Sequence, residues 1–102
     1  MKYEKYYKLV EEQSKIYDKT QNCAIGQTWQ FHLLPVIQSA CKLADIYNAN
    51  RDVVELGAIF HDYANLVDYA NSEQHHILGA ELAEKILKQD AFEQSFIDRV
   101  KL

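Results

Sequence analysis

The chain has 102 residues, with 48% hydrophobic and 25% charged residues, which is the make-up of one ordinary globular domain with a single modest core. Eleven basic against 15 acidic residues give a net charge of −4. That balance offers no basic stripe for a nucleic-acid backbone, and no apolar run is long enough to span a membrane. Three glycines and one proline leave few breaks, so the spacing of the apolar residues predicts an all-α fold of about five helices over residues 1–102.

Residues 2 to about 19 read as a first helix, with Tyr6, Leu9, Val10, Gln13, Ile16 and Tyr17 forming one buried stripe. Its tyrosines are read as core packing rather than as a platform for a base. Residues 20–28 hold polar residues and Gly26 and read as a connection. A second helix starts between residues 28 and 34 and runs to about residue 47, burying Leu33, Val36, Ile37, Ala40, Leu43, Ala44 and Tyr47. Pro35 occupies its first turn or kinks it. Cys41 reads as a small core residue, and Cys41 and Cys23 as reduced thiols.

Asn50 is a suitable N-cap for a third helix, residues 51 to about 63. Val53, Val54, Leu56, Gly57, Ala58, Ile59 and Phe60 make that helix apolar nearly all round, which predicts a central position. It ends in His61-Asp62. Residues 64–72 read as a loop or short helical turn, with Asn71 or Ser72 capping a fourth helix over residues 73 to about 88. This helix is expected to bury Ile77, Leu78, Ala80, Leu82, Ala83, Ile86 and Leu87. Gly79 inside it costs roughly 1 kcal/mol in helix propensity, so close approach of another backbone or a ligand is expected there. Asp90 and Glu93 have the spacing of a capping box opening a fifth helix, which bears Phe96, Ile97 and Val100. The pattern reaches Leu102 with no stop signal, so the chain reads as cut, its uncovered apolar faces favouring a homo-oligomer. With no apolar leader at the N-terminus, a cytoplasmic location is the default expectation.

The chemistry-bearing residues are the four histidines. His32 lies on the helix before His61-Asp62, and His75-His76 on the helix after. A single histidine is usually structural. An ionisable pair following the most apolar helix, however, is costly unless something satisfies both groups, and a divalent metal does so. No nucleophile elbow and no glycine-rich phosphate loop is present. Cys23 as a nucleophile finds no partner in the pattern.

The stretches FHLLPVIQSACKLADIYNANRDVVELGAIFHDYANL and HHILGAELAEKIL, in order and in register from residue 29 to residue 87, resemble the HD superfamily of metal-dependent phosphohydrolases. The resemblance implies an HD-domain-like helical bundle in which His32, His61 and Asp62 ligate a divalent metal (Mn, Fe, Mg, Ni or Zn). It places His75 as a further ligand or phosphate contact, with His76, about 100° round the helix, as the alternate. His61, Asp62 and His75 are then the catalytic residues, and the substrate is a nucleotide or another small phosphoester. The alternative is a catalytically inactive binding or regulatory module on the same fold. Two departures from the family pattern stand out. The final aspartate ligand falls beyond Leu102, with Asp68 (loop), Asp90 (helix cap) and Asp98 (solvated face) poor substitutes. The lysine that many members carry three residues after the pair is Asn65 here.

Overall fold

The computed structural model describes residues 2–67 and 75–101, the side chains of His75 and His76 excepted. It contains α1 (Glu4–Thr20), a π-helical segment (Trp29–Leu33) that runs directly into α2 (Leu34–Ile46), α3 (Arg51–Val67), α4 (His75–Gln89) and α5 (Gln94–Lys101). Among the described residues there is no strand, and the all-α bundle is observed as expected. α3 is central: α1, α2, α4 and α5 all pack on it. Its start is fixed by Asn50, whose side-chain oxygen accepts the Val53 N–H at 3.1 Å. Leu56, Ile59, Phe60, Ala64 and Leu66 are buried along it.

The structure departs from the sequence reading in four places. On α1, Tyr6 and Val10 are buried as expected, but Ile16 is 58% exposed, and the buried row is completed by Tyr3, Tyr7, Ser14 and Asp18. Polar tips decide this row. The tyrosine rings enter the core while their hydroxyls donate to carboxylates at its edge: Tyr3 to Asp52 (2.9 Å), Tyr6 to Asp90 (2.5 Å), and Tyr7 to Glu55. Asp18 is buried because the connection folds over it. Its carboxylate accepts the N–H of Gly26 (2.9 Å), the N–H of Thr28 (3.4 Å) and the Thr28 hydroxyl. Gly26 allows that turn with φ +91°.

On α2, Leu33, Ile37, Cys41 and Ala44 face the core, whereas Val36, Leu43 and Tyr47 point outward. The helix is apolar on more than one side but packs against the bundle with only one face, and spacing alone does not choose which. Pro35 is the second residue of α2, directly after the π-helical turn, where it has no N–H to offer the carbonyls of that turn. Cys41 and Cys23 are free thiols, buried and exposed respectively.

α3 continues past Tyr63 to Val67, so His61-Asp62 lies more than a turn before its described end. Nothing from Ala64 to Val67 is a helix breaker, and Ala64 and Leu66 extend the buried row. The rest of the expected loop, with its Asn71 or Ser72 cap, lies outside the described residues. On α4, Gly79, Ala83 and Leu87 are buried, Leu78, Ala80, Leu82 and Ile86 half-buried, and Ile77 is turned outward.

The Asp90–Glu93 capping box does not form. The Asp90 carboxylate instead accepts from Lys5 Nζ (2.8 and 2.9 Å) and Tyr6, tying the α4–α5 turn to α1. Lys5 and Tyr6 thereby hold its pKa below the usual carboxylate value. α5 begins with the Glu93 carbonyl accepting the Ile97 N–H. Ile97 and Val100 are buried and Phe96 half-buried, as the pattern expects.

Candidate functional site

His61 and Asp62 are consecutive residues of an uninterrupted helix, so their side chains leave it about 100° apart. One consequence is a division of environment. His61 is exposed, whereas Asp62 is 6% exposed and faces the interior. The Asp62 Oδ2 atom is buried and, among the described residues, has no hydrogen-bond partner. Burial alone pushes the Asp62 pKa up from 3.8 to about 7. A buried carboxylate oxygen without a donor is costly, and native structures rarely leave one unexplained.

His61 lines a cavity of about 260 Å³ between α3, α4 and α5, with Gly57, Phe60, Gly79, Ala80, Ala83, Val100 and Lys101. The floor is built of small residues because the helices approach closely. A carbon placed on Gly79 would stand 3.5 Å from the Phe60 carbonyl oxygen, and one on Gly57 would stand 3.6 Å from that of Val100. The backbone approach expected at Gly79 is therefore present. Lys101 is the cation at this cavity, and its ammonium is held by Glu84 at 2.8 Å. Sequence reasoning passed over Lys101; its place one residue after the buried Val100 is the signal that sets it beside the α4–α5 contact.

His32 sits in the π-helical segment and is exposed. It lines a separate groove on the outer side of α2 with Phe31, Pro35, Val36, Ser39, Ala40 and Leu43, none of which borders the His61 cavity. Asn65, one turn beyond His61, is half-buried. Among the described residues no group of three or more histidine, cysteine, aspartate or glutamate side chains lies together in a way that could hold a metal, so His32, His61 and Asp62 do not form one. His75 and His76 occupy the first two positions of α4; which of them faces the site lies outside the described residues. Of the substitutes considered for a further ligand, Asp90 is committed to Lys5 and Tyr6, Asp98 is exposed, and Asp68 is outside the described residues.

The family model of the HD domain matches residues 31–101, which is 71 of the 102 residues. The chain belongs to the HD family. HD domains are generally metal-dependent hydrolases and typically bind divalent metals. No curated protein and no solved structure matches the chain. Among the described residues, no helix is long and apolar enough to cross a membrane.

The residues of this HD domain fit a divalent cation at one point above all. The orphaned Oδ2 of Asp62 is a hard, anionic oxygen donor without a proton donor, and a cation would satisfy it. The neighbouring imidazole of His61 is open to solvent and available as a nitrogen donor.

Proposed function

We propose that this HD domain is a metal-dependent phosphohydrolase acting on a small phosphoester, a nucleotide being the expected class. The ligand set of the proposal is His61 and Asp62 with His75, His76 standing as the alternate to His75; His32, which lines the separate groove on α2, stands outside it. The single observation that carries it is the buried Asp62 Oδ2, without a partner among the described residues, on the central helix of a chain that belongs to this family. When bound, a divalent cation supplies Lewis acidity toward a phosphoryl oxygen and makes water a usable nucleophile near neutral pH.

The chain's own residues carry the remaining work. Asp62, desolvated and fixed on a helix that four others clamp, is a rigid donor whose geometry needs no rearrangement. His61 presents its imidazole to the 260 Å³ cavity. The apolar floor there, Phe60 with Gly57, Ala80 and Ala83, excludes water from whatever part of the substrate enters. Lys101 lies at the same cavity, its ammonium paired with Glu84.

The test is metal analysis of the purified protein alongside a generic phosphoester assay, for wild type, His61→Ala and Asp62→Asn. The expected result is metal in the wild type, with metal and turnover lost together in both variants. Metal content unchanged in both would overturn the proposal. A second reading, a non-catalytic HD module, is favoured by the absence of a three-ligand grouping among the described residues. Metal bound without turnover in the wild type would decide for it.

A further inference from the structure

Among the described residues, the lining of the cavity beside His61 carries one permanently charged side chain, that of Lys101. His61 apart, the rest of the lining is glycine or apolar. Gly57, Gly79, Ala80 and Ala83 lie inside α3 and α4, where their backbone N–H groups are committed to the helix. An anion entering there therefore meets two polar side chains, His61 and Lys101.

Lys101 is held, but loosely. Its ammonium donates to Glu84 at 2.8 Å and has no second acceptor among the described residues, although it carries three protons. The pair is partly exposed, 29% at Lys101 and 38% at Glu84, so water screens it and its contribution is small. Nor is Glu84 stranded when the lysine leaves. Its other oxygen accepts from Gln94 Nε2 at 3.2 Å, and Gln94 is fixed in turn by donating to Asp98 at 2.9 Å. Lys101 and then Gln94 hold the Glu84 carboxyl below its ordinary pKa, so it stays ready to take the ammonium back.

We infer that Glu84 is a holding partner from which Lys101 is released to the dianionic phosphate of a monoester, and that this exchange selects monoesters over diesters. The inference rests on the phosphoester reading of this cavity and narrows its substrate class. Charge decides the exchange. A diester carries one negative charge, as the Glu84 carboxylate does, and draws the ammonium no more strongly than its present partner. A monoester carries close to two, and at equal distance the attraction scales with the charge. Size points the same way. The 260 Å³ cavity is smaller than the roughly 300–1,000 Å³ of pockets that enclose a whole drug-sized ligand, so it receives one end of a substrate. The phosphate of a monoester is such an end, whereas that of a diester is flanked on both sides.

The test is calorimetric titration of methyl phosphate and dimethyl phosphate into the full chain, with Mg²⁺ and in parallel with a chelator, at about pH 8, where the monoester is doubly charged. Wild type is expected to bind methyl phosphate at least about tenfold more tightly than dimethyl phosphate in both conditions. Lys101→Met should weaken methyl phosphate at least about tenfold and dimethyl phosphate less than about threefold, and Lys101→Arg should restore the preference. Glu84→Gln, which keeps the lysine and frees it, should tighten dimethyl phosphate at least about threefold. Circular dichroism is expected to be unchanged in all three variants. A wild type without preference, equal losses for the two probes in Lys101→Met, or dimethyl phosphate indifferent to Glu84→Gln each overturns the inference. The two readings fail separately. A chain that holds no metal and hydrolyses nothing, yet shows this pattern, sinks the hydrolase and upholds the exchange; hydrolysis with both probes blind to Lys101 does the reverse.

Discussion

Asp18, near the end of α1, accepts a 2.9 Å hydrogen bond from the backbone N–H of Gly26, across the connection that leads to the segment bearing His32. Asp18 is fully buried, and Thr28 contributes two further donors. A carboxylate satisfied in this way holds the turn, and its loss strands three donors. Asp18→Ala is expected to lower stability by about 2–4 kcal/mol in urea denaturation. A change below about 0.5 kcal/mol would contradict this role.

Asp62 is the opposite kind of buried acid: among the described residues its Oδ2 meets no donor. Its pKa near 7 in the folded chain compares with 3.8 for the free group, so the folded state holds an extra proton between those values. Stability from this group is therefore fully present below about pH 4 and is lost as the pH rises through about 7. In metal-free protein above pH 7, Asp62→Asn is expected to be stabilising. The ceiling is about 4 kcal/mol, less the cost of burying the amide. The difference between variant and wild type should shrink on acidification. Equal stability of the two proteins at all pH values would refute the assignment.

The tyrosines of α1 report from the alkaline side. Burial, and then the hydrogen bond to Asp52, hold Tyr3 up to about 12 from its ordinary 10. Tyr6 and Tyr7 are raised by burial and by Asp90 and Glu55. Raised folded pKa values mean stability that is intact below pH 10 and lost as the pH climbs through about 12. Titration by tyrosinate absorbance is expected to show three of the seven tyrosines ionising only with unfolding. All seven titrating together near pH 10 in folded protein would count against the packing of α1.

Gly79 offers a stability test at the cavity itself. A carbon there would meet Phe60 O at 3.5 Å, Ala64 Cβ at 3.6 Å and His61 Cα at 3.8 Å, all ordinary contacts. Gly79→Ala is expected to stabilise the protein by about 0.5–1 kcal/mol through helix propensity. Gly79→Val, which adds bulk to a closed interface, should cost about 1–3 kcal/mol. Both shifts are read as urea midpoints, and an alanine variant as destabilised as the valine one would show that the helices already touch.

What was legible in the sequence was local or strongly periodic. The all-round apolar character of residues 53–60 marked α3 as central, Asn50 marked its start, and Gly79 marked a close approach. The motif in register from residue 29 to residue 87 carries the family. The misses share a cause, which is that the deciding partner lies far away in the chain. Asp90 had the spacing of a cap but found Lys5 and Tyr6, 84 to 85 residues away. Asp18 read as an unremarked polar residue until Gly26 and Thr28 closed over it. The outward turn of Val36 and Leu43 depended on which side of α2 met α3. The continuation of α3 past Tyr63 was hidden by polar residues that suggested a loop yet contained no breaker.

The central position of α3 gives Asp62 a practical significance. A ligand that binds there and not to the unfolded chain contributes its binding free energy to the folding of the entire bundle, because every other helix leans on that one element. Melting temperature thus becomes a ligand detector. A panel of divalent cations, and then of phosphorylated compounds, can be ranked by the upward shift each produces, with Asp62→Asn as the deaf control.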